Sequence, residues 1–284
     1  MDELYYDTFS KFQKEIDKEG IDFLGINISN TSYEVKLYMQ PQENYNNEIA
    51  NTVEKFVINN DLFRCRCVAH SLKGSRNYIA LKNKKDYFFQ KMLEILNNEY
   101  TFIEPYIKEI MDISSMVVSY RSKERFSSFH MLGLKEFNDE TVINFEWLTR
   151  KLDNTSNPGC NYYYDDSYYF NFLKKLNYGH IKHLCSCIEN NFIELLEENK
   201  IHFWLVAEDM YSNGNKKVKI YFKIEDCNFI EINKIIKSID SSMLEKINEL
   251  NNFIYLRNEL KCYGFSIGID NLKQYTFNYY FIDI

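Results

Sequence analysis

The sequence has no run of about 18 uncharged apolar residues, the length that a membrane-spanning helix needs. We therefore expect no membrane span. The opening stretch MDELYYDTFSKFQKEIDKEG is acidic and amphipathic, and it lacks the basic and then apolar pattern of a signal peptide. A cytoplasmic location is the resulting prediction, for a chain whose 45% apolar and 26% charged residues are typical of globular proteins.

The sequence also lacks an excess of basic residues. Lys and Arg total 34 and Asp and Glu total 41, which gives a formal net charge of −7. Contacts to nucleic-acid phosphates need concentrated lysine and arginine, so no nucleic-acid partner is expected. The seven cysteines are an odd number, and in a cytosolic chain of this size we expect free thiols and no disulfide framework.

Aromatic residues are abundant, with 23 Tyr and 22 Phe against only 9 Gly and 3 Pro. Tyrosine joins a flat apolar ring to a polar hydroxyl, which suits half-wet surfaces such as the walls of a ligand cavity. A compositional bias of the whole genome explains the same enrichment equally well. Composition alone therefore leaves both interpretations open.

Five pairs of alternating apolar and polar runs, each joined by a turn signal, predict five β-hairpins. They are IDFLGINIS with YEVKLYMQ, RCRCVAHSLKGSRNYIALK, FSSFHMLGLKEFNDETVINFEWL, IHFWLVAEDMYSNGNKKVKIYFKI and YGFSIGIDNLKQYTFNYYFIDI. Helical periodicity lies beside them, at residues 4–17, 47–60, 86–111, 168–200 (with a break near Tyr178) and 231–260. Two segments do not fit the repeat: VSYRSKERFSS is an extra strand or a loop, and DNTSNPGCNYYYDDSYY is predicted to be a surface loop.

Ten antiparallel strands with helices between the hairpins either leave an open sheet with exposed edges or close into a barrel. We predict a single α+β domain over residues 1–284, a ten-stranded antiparallel β-barrel of five αββα repeats with the helices outside. In the alternative, helices pack on the apolar face of an open sheet, and the polar positions are its solvent face. The chain would then be a noncatalytic ligand-binding or protein-interaction module.

The alternation also predicts what a barrel would enclose. Lys217, Lys219 and Tyr221 share one face of KKVKIYFKI, and Glu34 and Tyr38 share one face of YEVKLYMQ. In a barrel covered by helices, the apolar faces contact those helices and the polar, tyrosine-rich faces point inward. The lumen is then a solvated ligand cavity.

Five αββα units around a barrel with a lumenal active site resemble the ABBA aromatic prenyltransferases, which include a cyanobactin-modifying branch that acts on peptides. YGFSIGIDNLKQYTFNYYF resembles the family's last hairpin, including the paired Tyr279 and Tyr280. NGNKKVKIYF resembles the fourth-hairpin return strand and places Lys219 at a basic diphosphate-binding position. TVINFEW places Asn144 at a pocket asparagine, and GSRNYIAL places Arg76 where the family has a lysine.

The resemblance implies transfer of a dimethylallyl or geranyl group from its diphosphate to an electron-rich aromatic acceptor, either a small molecule or a peptide side chain. Cations would hold the diphosphate, and tyrosine rings would shield the carbocation from water. The diphosphate-binding candidates are Arg76, Lys217, Lys219 and Lys273. The candidates for the prenyl and acceptor pocket are Tyr38, Tyr78, Asn144, Tyr221, Tyr275 and Tyr279. Glu34 and Glu146 are the candidates for a catalytic base or an acceptor-orienting carboxylate.

Two positions depart from the family pattern. Tyr275 occupies the position of a lysine that contacts diphosphate, with Lys273 two residues earlier on the same face. Metal-dependent members hold Mg²⁺ with a lumenal aspartate on the first hairpin, where YEVKLYM offers only Glu34. No cofactor is therefore predicted with certainty, and dependence on Mg²⁺ stays open.

A separate cluster of zinc-ligand residue types occurs in HIKHLCSC, which contains His180, His183, Cys185 and Cys187. In a helix Cys185 lies off the face that the other three share, and no CxxC partner follows at finger-like spacing. We therefore favour a partly buried helix face with free thiols over a structural zinc site.

Overall fold

The computed structural model describes residues 1–30, 32–40, 63–81, 86–121, 124–137, 140–152, 162–257 and 259–283. Its strands are β1 Phe23–Ser29, β2 Tyr33–Met39, β3 Phe63–Ser71, β4 Gly74–Leu81, β5 Val117–Arg121, β6 Glu124–Ser127, β7 Phe129–Phe137, β8 Glu140–Leu148, β9 Arg150–Leu152, β10 Tyr162–Tyr164, β11 Ile201–Tyr211, β12 Lys216–Ile224, β13 Leu260–Asp270 and β14 Tyr275–Asp283. Its helices, with two short 3₁₀ segments, are Asp2–Lys11, Gln13–Glu19, Asp86–Glu99, Thr101–Tyr106, Ile107–Ser114, Asp166–Lys175, Gly179–Asn191, Ile193–Glu197, Phe229–Ile239, Ser241–Met243 and Leu244–Tyr255.

Ten strands within the described ranges close into one antiparallel barrel in the order β1-β14-β13-β12-β11-β8-β7-β4-β3-β2. Each of the five predicted hairpins supplies two consecutive strands, and the pairing of β1 with β14 closes the ring. Closure removes the two edges that an open sheet would expose. The predicted α+β barrel of ten strands is confirmed, and the open-sheet alternative is wrong. That residues 1–284 form one domain stays a prediction.

The outer face of the barrel is apolar and packs beneath the helices. Ile26 of β1 and Phe222 of β12 are both fully buried there. Phe192 follows the helix Gly179–Asn191, and its ring centroid lies 5.9 Å from that of Phe222 and 5.5 Å from that of Phe265. Burial of this face contributes roughly 25 cal/mol per Å² of apolar surface. It also turns the opposite, polar face of each strand toward the lumen.

The helical segments are more divided than the sequence predicts. The stretch 4–17 forms two helices that meet at Phe12, and 86–111 is interrupted by a 3₁₀ segment that contains Pro105. The predicted break near Tyr178 is present, since one helix ends at Lys175 and the next begins at Gly179. No helix within the described residues is both long and apolar enough to cross a membrane.

The segments outside the repeat form two small sheets. VSYRSKERFSS contains β5 and β6, which pair with each other, so the extra-strand interpretation is correct. The predicted surface loop is wrong at Tyr162–Tyr164, which pairs with β9, and from Asp166 onward, where a helix begins. Residues 153–161 of that loop, and the predicted helix at 47–60, lie outside the described residues.

A buried polar cluster lies between the barrel's outer face and the helices Ile107–Ser114 and Gly179–Asn191. His180 Nε2 is 2.6 Å from Glu109 Oε1 and 4.0 Å from Glu208 Oε1. Lys216 Nζ is 3.1 Å from Glu208 Oε1 and also contacts Glu109. Burial raises the pKa of Glu208 to about 8 against the opposing charge of Lys216. These four groups are therefore a polar network that joins two helices to β11 and β12.

The residues of HIKHLCSC do not converge on one site. His180 turns to the cluster just described, whereas His183 Nε2 lies 3.0 Å from the hydroxyl of Tyr275. Cys185 and Cys187 are buried free thiols, and burial raises the pKa of both. The helix thus places its histidines and cysteines in separate environments, as the favoured interpretation expects.

Candidate active site

On four strands of the barrel, one lumenal position carries a polar side chain and the next lumenal position carries a tyrosine. The pairs are Lys36 and Tyr38 on β2, Arg76 and Tyr78 on β4, Lys219 and Tyr221 on β12, and Asn278 and Tyr280 on β14. Residues two apart on a strand share a face and lie roughly 7 Å apart. In all four strands the polar member is nearer the hairpin turn. The lumen is therefore divided into a polar half toward the turns and an aromatic half toward the other end.

The polar half, called here the basic compartment, is a cavity of about 300 Å³. The charged side chains along its wall are six basic residues (Lys36, Lys73, Arg76, Lys135, Lys217 and Lys219) and three acidic ones (Glu34, Glu140 and Asp209). The formal excess of three positive charges contrasts with the chain's net charge of −7. The low-dielectric walls of a cleft focus the field of such an excess, which favours binding of a polyanion.

Asp209 organises two of these cations. Its Oδ2 lies 2.6 Å from Lys219 Nζ, and its Oδ1 accepts hydrogen bonds from Arg76 Nη1 at 3.2 Å and Asn144 Nδ2 at 2.8 Å. Burial would raise the pKa of Asp209, but Lys219 and Arg76 hold it well below its usual range. Burial lowers the pKa of Lys219 to about 8, even though Asp209 opposes that shift.

Glu34 belongs to the same compartment and is held by cations. Its carboxylate lies 3.3 Å from Lys36 Nζ and 3.9 Å from Lys135 Nζ, and it accepts a hydrogen bond from Ser71 Oγ at 2.8 Å. Burial would raise the pKa of Glu34, but Lys36 and Lys135 lower it to about 2. A carboxylate so firmly ionised is a poor proton acceptor near neutrality.

The aromatic half, called here the aromatic chamber, is a cavity of about 270 Å³. The Tyr38 ring centroid is 6.3 Å from that of Tyr78 and 5.9 Å from that of Tyr280, and Tyr221 is 5.8 Å from Tyr280. Trp204 adds a further ring, 6.4 Å from Tyr280. The negative faces of such rings attract a carbocation without supplying a nucleophile. The chamber is thus suited to an apolar chain that carries positive charge during a reaction.

Glu146 also lines the aromatic chamber and is buried. Burial raises the pKa of its carboxyl group to about 7, against the opposing charges of Lys219 and Arg76. A group with a pKa near neutrality exchanges a proton readily at physiological pH. Of the two carboxylates predicted as catalytic, Glu146 lies in the aromatic chamber with a pKa near neutrality, and Glu34 lies among the lysines.

The structure brings most of the predicted site residues together. Arg76, Lys217 and Lys219 line the basic compartment, and Tyr38, Tyr78 and Tyr221 line the aromatic chamber. Asn144 faces the lumen as well, where it supports Asp209 through its side-chain amide.

Three predicted positions are wrong, all of them in the last hairpin. Tyr279 is fully buried on the outer face, where its hydroxyl donates to Asn233 Oδ1 at 2.7 Å. Tyr275 also points outward, to His183. Lys273 is exposed in the turn, with a φ of 61°. The lumenal residues of β14 are the even-numbered ones, Thr276, Asn278 and Tyr280, so the predicted face was displaced by one residue.

Two strand glycines contribute to the site without being predicted. A Cβ at Gly133 would lie 3.0 Å from Tyr78 Cε1 and 3.1 Å from Arg76 Cδ. A Cβ at Gly268 would lie 3.0 Å from Lys219 Cγ. A glycine inside a strand indicates a close approach of another group, and that signal is present in the sequences of both strands, β7 and β13.

A closed ten-stranded antiparallel barrel surrounded by helices, with a basic and an aromatic half to its lumen, defines the class of fold. No family model and no curated protein matches the chain. Solved structures do match: "Crystal structure of NotF prenyltransferase" has a TM-score of 0.61 and 8% identity over 93% of this chain and 81% of that one. AnaPT from Neosartorya fischeri has a TM-score of 0.55 and 9% identity over 93% and 78%. NotF in complex with brevianamide F and DMSPP gives 0.53 and 7% over 93% and 80%. The chain has the barrel fold of these prenyltransferases, as the sequence resemblance implies.

Proposed function

We propose that this protein is an aromatic prenyltransferase, which moves a dimethylallyl or geranyl group from its diphosphate to an electron-rich aromatic acceptor. The observation that carries the proposal is the change from cation to tyrosine at neighbouring lumenal positions of β2, β4 and β12. An allylic diphosphate has the same division, since a polyanionic head adjoins an apolar tail. The fold shared with solved prenyltransferases supports the same activity.

The basic compartment would bind the diphosphate. Arg76 and Lys219 are largely buried, so water screens their charge-assisted hydrogen bonds little, and Lys217 adds a third cation to the compartment. Fixed cations stabilise negative charge as it develops on a leaving group. The C1–O bond of the donor would break here, with the bonding electron pair leaving on the diphosphate oxygen.

The aromatic chamber would hold the allylic chain and the acceptor. Tyr38, Tyr221 and Tyr280 would surround the cation with ring faces and exclude water, which would otherwise capture it. A π-electron pair of the acceptor would form the new bond to C1, and the ring would then lose a proton. Glu146, whose pKa is about 7, is the group placed to accept that proton. The acceptor, a small aromatic molecule or the aromatic side chain of a peptide, stays a prediction, as does a cytoplasmic location.

Two carboxylates of the basic compartment, Glu34 and Asp209, do not fit a magnesium site. Glu34 already contacts Lys36 and Lys135, and Asp209 contacts Lys219 and Arg76. Magnesium would have to displace these cations or approach them closely. The lysines and the arginine supply positive charge for the diphosphate themselves, so we assign no step to the metal.

Calorimetric titration with dimethylallyl and geranyl thiolodiphosphates, which are unreactive donor analogues, tests this function. We expect micromolar binding with and without Mg²⁺. Lys219→Met should weaken it by roughly tenfold or more, the usual effect of losing a charge-assisted contact. Lys273→Met is the matched control, because Lys273 is exposed in the turn and should leave the affinity unchanged.

The contrary outcomes are equally informative. Binding of neither analogue would reject the donor site and favour a noncatalytic ligand-binding module with the same barrel. Equal losses of analogue affinity in the Lys219 and Lys273 variants would place the diphosphate at the rim of the barrel and not inside it.

A further inference from the structure

Asp209 is the acidic residue at the centre of the basic compartment, and the sequence prediction did not include it. It comes from β11, yet its carboxylate joins Arg76 of β4, Lys219 of β12 and Asn144 of β8. The side chain is only 4% exposed. One carboxylate therefore holds donors from three other strands at the place where positive charge converges.

These two cations need a partner when no donor is bound. Arg76 and Lys219 are both largely buried, and both lie within hydrogen-bonding distance of the same carboxylate. Without a negative charge between them, burial and mutual repulsion would both favour loss of the lysine proton, because arginine does not deprotonate. A neutral Lys219 would bind a diphosphate poorly.

We propose that Asp209 is a positioning residue of the donor site. In the empty barrel Asp209 occupies the place of the diphosphate, keeps Lys219 charged and holds it near Arg76. The inference rests on the proposed function, since it assigns the diphosphate to these cations. Asp209 does not contact the reacting carbon in this scheme, and it acts through Lys219. When the donor arrives, its oxygens take over the contacts that Asp209 made.

The remaining charged groups near Lys219 do not replace Asp209. Lys36 opposes protonation of Lys219, and Lys217 is a further cation of the compartment. Glu146 is an acid nearby, but burial raises its pKa to about 7, so it is only partly ionised near neutrality. The pKa of Lys219 is about 8 with Asp209 present. Removal of the Asp209 charge would lower this pKa toward neutrality, where Lys219 is only partly protonated.

The first experiment measures the ionisation of Lys219 directly in the empty protein. The ¹⁵Nζ signal of Lys219, assigned by its loss in Lys219→Arg, is followed against pH in the wild type and in Asp209→Asn. We expect the pKa of Lys219 to fall by about one unit or more in the variant, the usual effect of removing an adjacent opposite charge. An unchanged pKa would overturn the proposal, whatever ligand the barrel binds.

The second experiment measures how many protons accompany ligand binding. Inorganic pyrophosphate is titrated calorimetrically at several pH values between 6.5 and 8.5, in two buffers with different ionisation enthalpies. At pH 7.5 Asp209→Asn should take up more protons than the wild type, and its affinity relative to the wild type should fall as the pH rises. Equal proton uptake in both proteins would overturn the proposal. If the wild type does not bind pyrophosphate, the proposed function fails, and the titration of Lys219 still decides the role of Asp209.

Two further variants serve as controls for the titration of Lys219. Asp209→Glu keeps the charge and should largely restore the wild-type pKa of Lys219. Arg76→Gln removes the competing cation, so it should raise the pKa of Lys219, and it serves if Asp209→Asn does not fold. No change in that pKa on removal of Arg76 would show that the three groups are uncoupled and would contradict the proposal.

Discussion

Gly268 of β13 lies directly against the side chain of Lys219 on the neighbouring strand β12. A Cβ at Gly268 would lie 3.0 Å from Lys219 Cγ and 2.7 Å from Thr276 Oγ1. Both distances are shorter than van der Waals contact, so a larger residue would force Thr276 and Lys219 to shift. This glycine makes room in the barrel wall for a residue of the proposed donor site.

Gly268→Ala should therefore weaken donor-analogue binding and also destabilise the fold. We expect roughly a tenfold loss of affinity, together with about 1–3 kcal/mol of destabilisation from overpacking. Calorimetry and chemical denaturation measure the two effects. Gly179→Ala is the matched control, because nothing lies within 4 Å of a Cβ there and the residue begins a helix. A donor affinity that survives Gly268→Ala would mean that Lys219 need not occupy its observed position.

Tyr279→Phe should lower stability and leave the reaction alone. The hydroxyl of Tyr279 donates to Asn233 in the outer core, so its removal leaves a buried amide oxygen without that partner. The expected cost is about 1–2 kcal/mol in the free energy of unfolding. Tyr221→Ala should have the opposite profile, with a loss of prenyl transfer that exceeds its effect on donor-head binding. Kinetics with a donor and an aromatic acceptor measure transfer, and urea denaturation measures stability. Slower transfer by Tyr279→Phe would contradict this assignment.

The rate of prenyl transfer should depend on pH through Glu146. Its pKa of about 7 means that the carboxylate, the form that accepts a proton, is lost as the pH falls below 7. We expect kcat/KM to fall about tenfold per unit on this acid limb, and to fall again above about pH 8 as Lys219 deprotonates. Glu146→Gln should lower the rate and remove the acid limb. Glu34→Gln is the control: Glu34, whose pKa is about 2, is ionised throughout this range, so the acid limb should persist.

Glu208 should make the protein less stable as the pH rises from about 5 to 8. Its folded-state pKa of about 8 lies above the ordinary value of 4.5, so in this window the folded protein binds more protons than the unfolded chain. Stability then falls with rising pH. Thermal denaturation from pH 5 to 9 should show this decline in the wild type and a weaker one in Glu208→Gln. Glu189→Gln is the control, because Glu189 is an exposed acid on the same outer side. If stability declined with equal slope in Glu189→Gln and Glu208→Gln, the decline would belong to groups other than Glu208.

The sequence predicted the fold, and it placed most of its candidate site residues on the lumenal face, because the strands alternate cleanly. In KKVKIYFKI the apolar residues fall on one face, and Lys217, Lys219 and Tyr221 had no other face to occupy. Closure followed from the number of hairpins, since an open sheet of that size would expose long edges. Where alternation was unambiguous, the faces were assigned correctly.

The last strand was assigned to the wrong face because tyrosine suits both environments. In YTFNYYFID, Tyr279 and Tyr280 are neighbours, and each tolerates a buried apolar setting if its hydroxyl finds a partner. The period of two separates the faces but does not say which one is inside. The small polar residues Thr276 and Asn278 mark the lumen, and they were the better guide.

Asp209 was missed for a different reason, which is a bulge. The pairing of β11 with β12 shifts register between Phe203 and Leu205. Phe203 packs outward, whereas Leu205 and the alternate residues after it face the lumen. Strict alternation from Phe203 would send Glu208 inward and Asp209 outward, the reverse of what the structure contains. Sequence patterns give no reliable sign of such an extra residue in an apolar strand.

The pairing of β1 with β14 also bears on how the chain folds during synthesis. Leu24 of β1 pairs with Phe281 of β14. The first strand of the barrel therefore cannot pair with β14 until the ribosome has added some 250 further residues. Until then the growing sheet has two open edges, and its charged interior has no enclosure. Nascent chains with such long-range closure fold slowly and are prone to edge-to-edge association. The enzyme-like interior thus comes into existence in one late event, when the last hairpin is added.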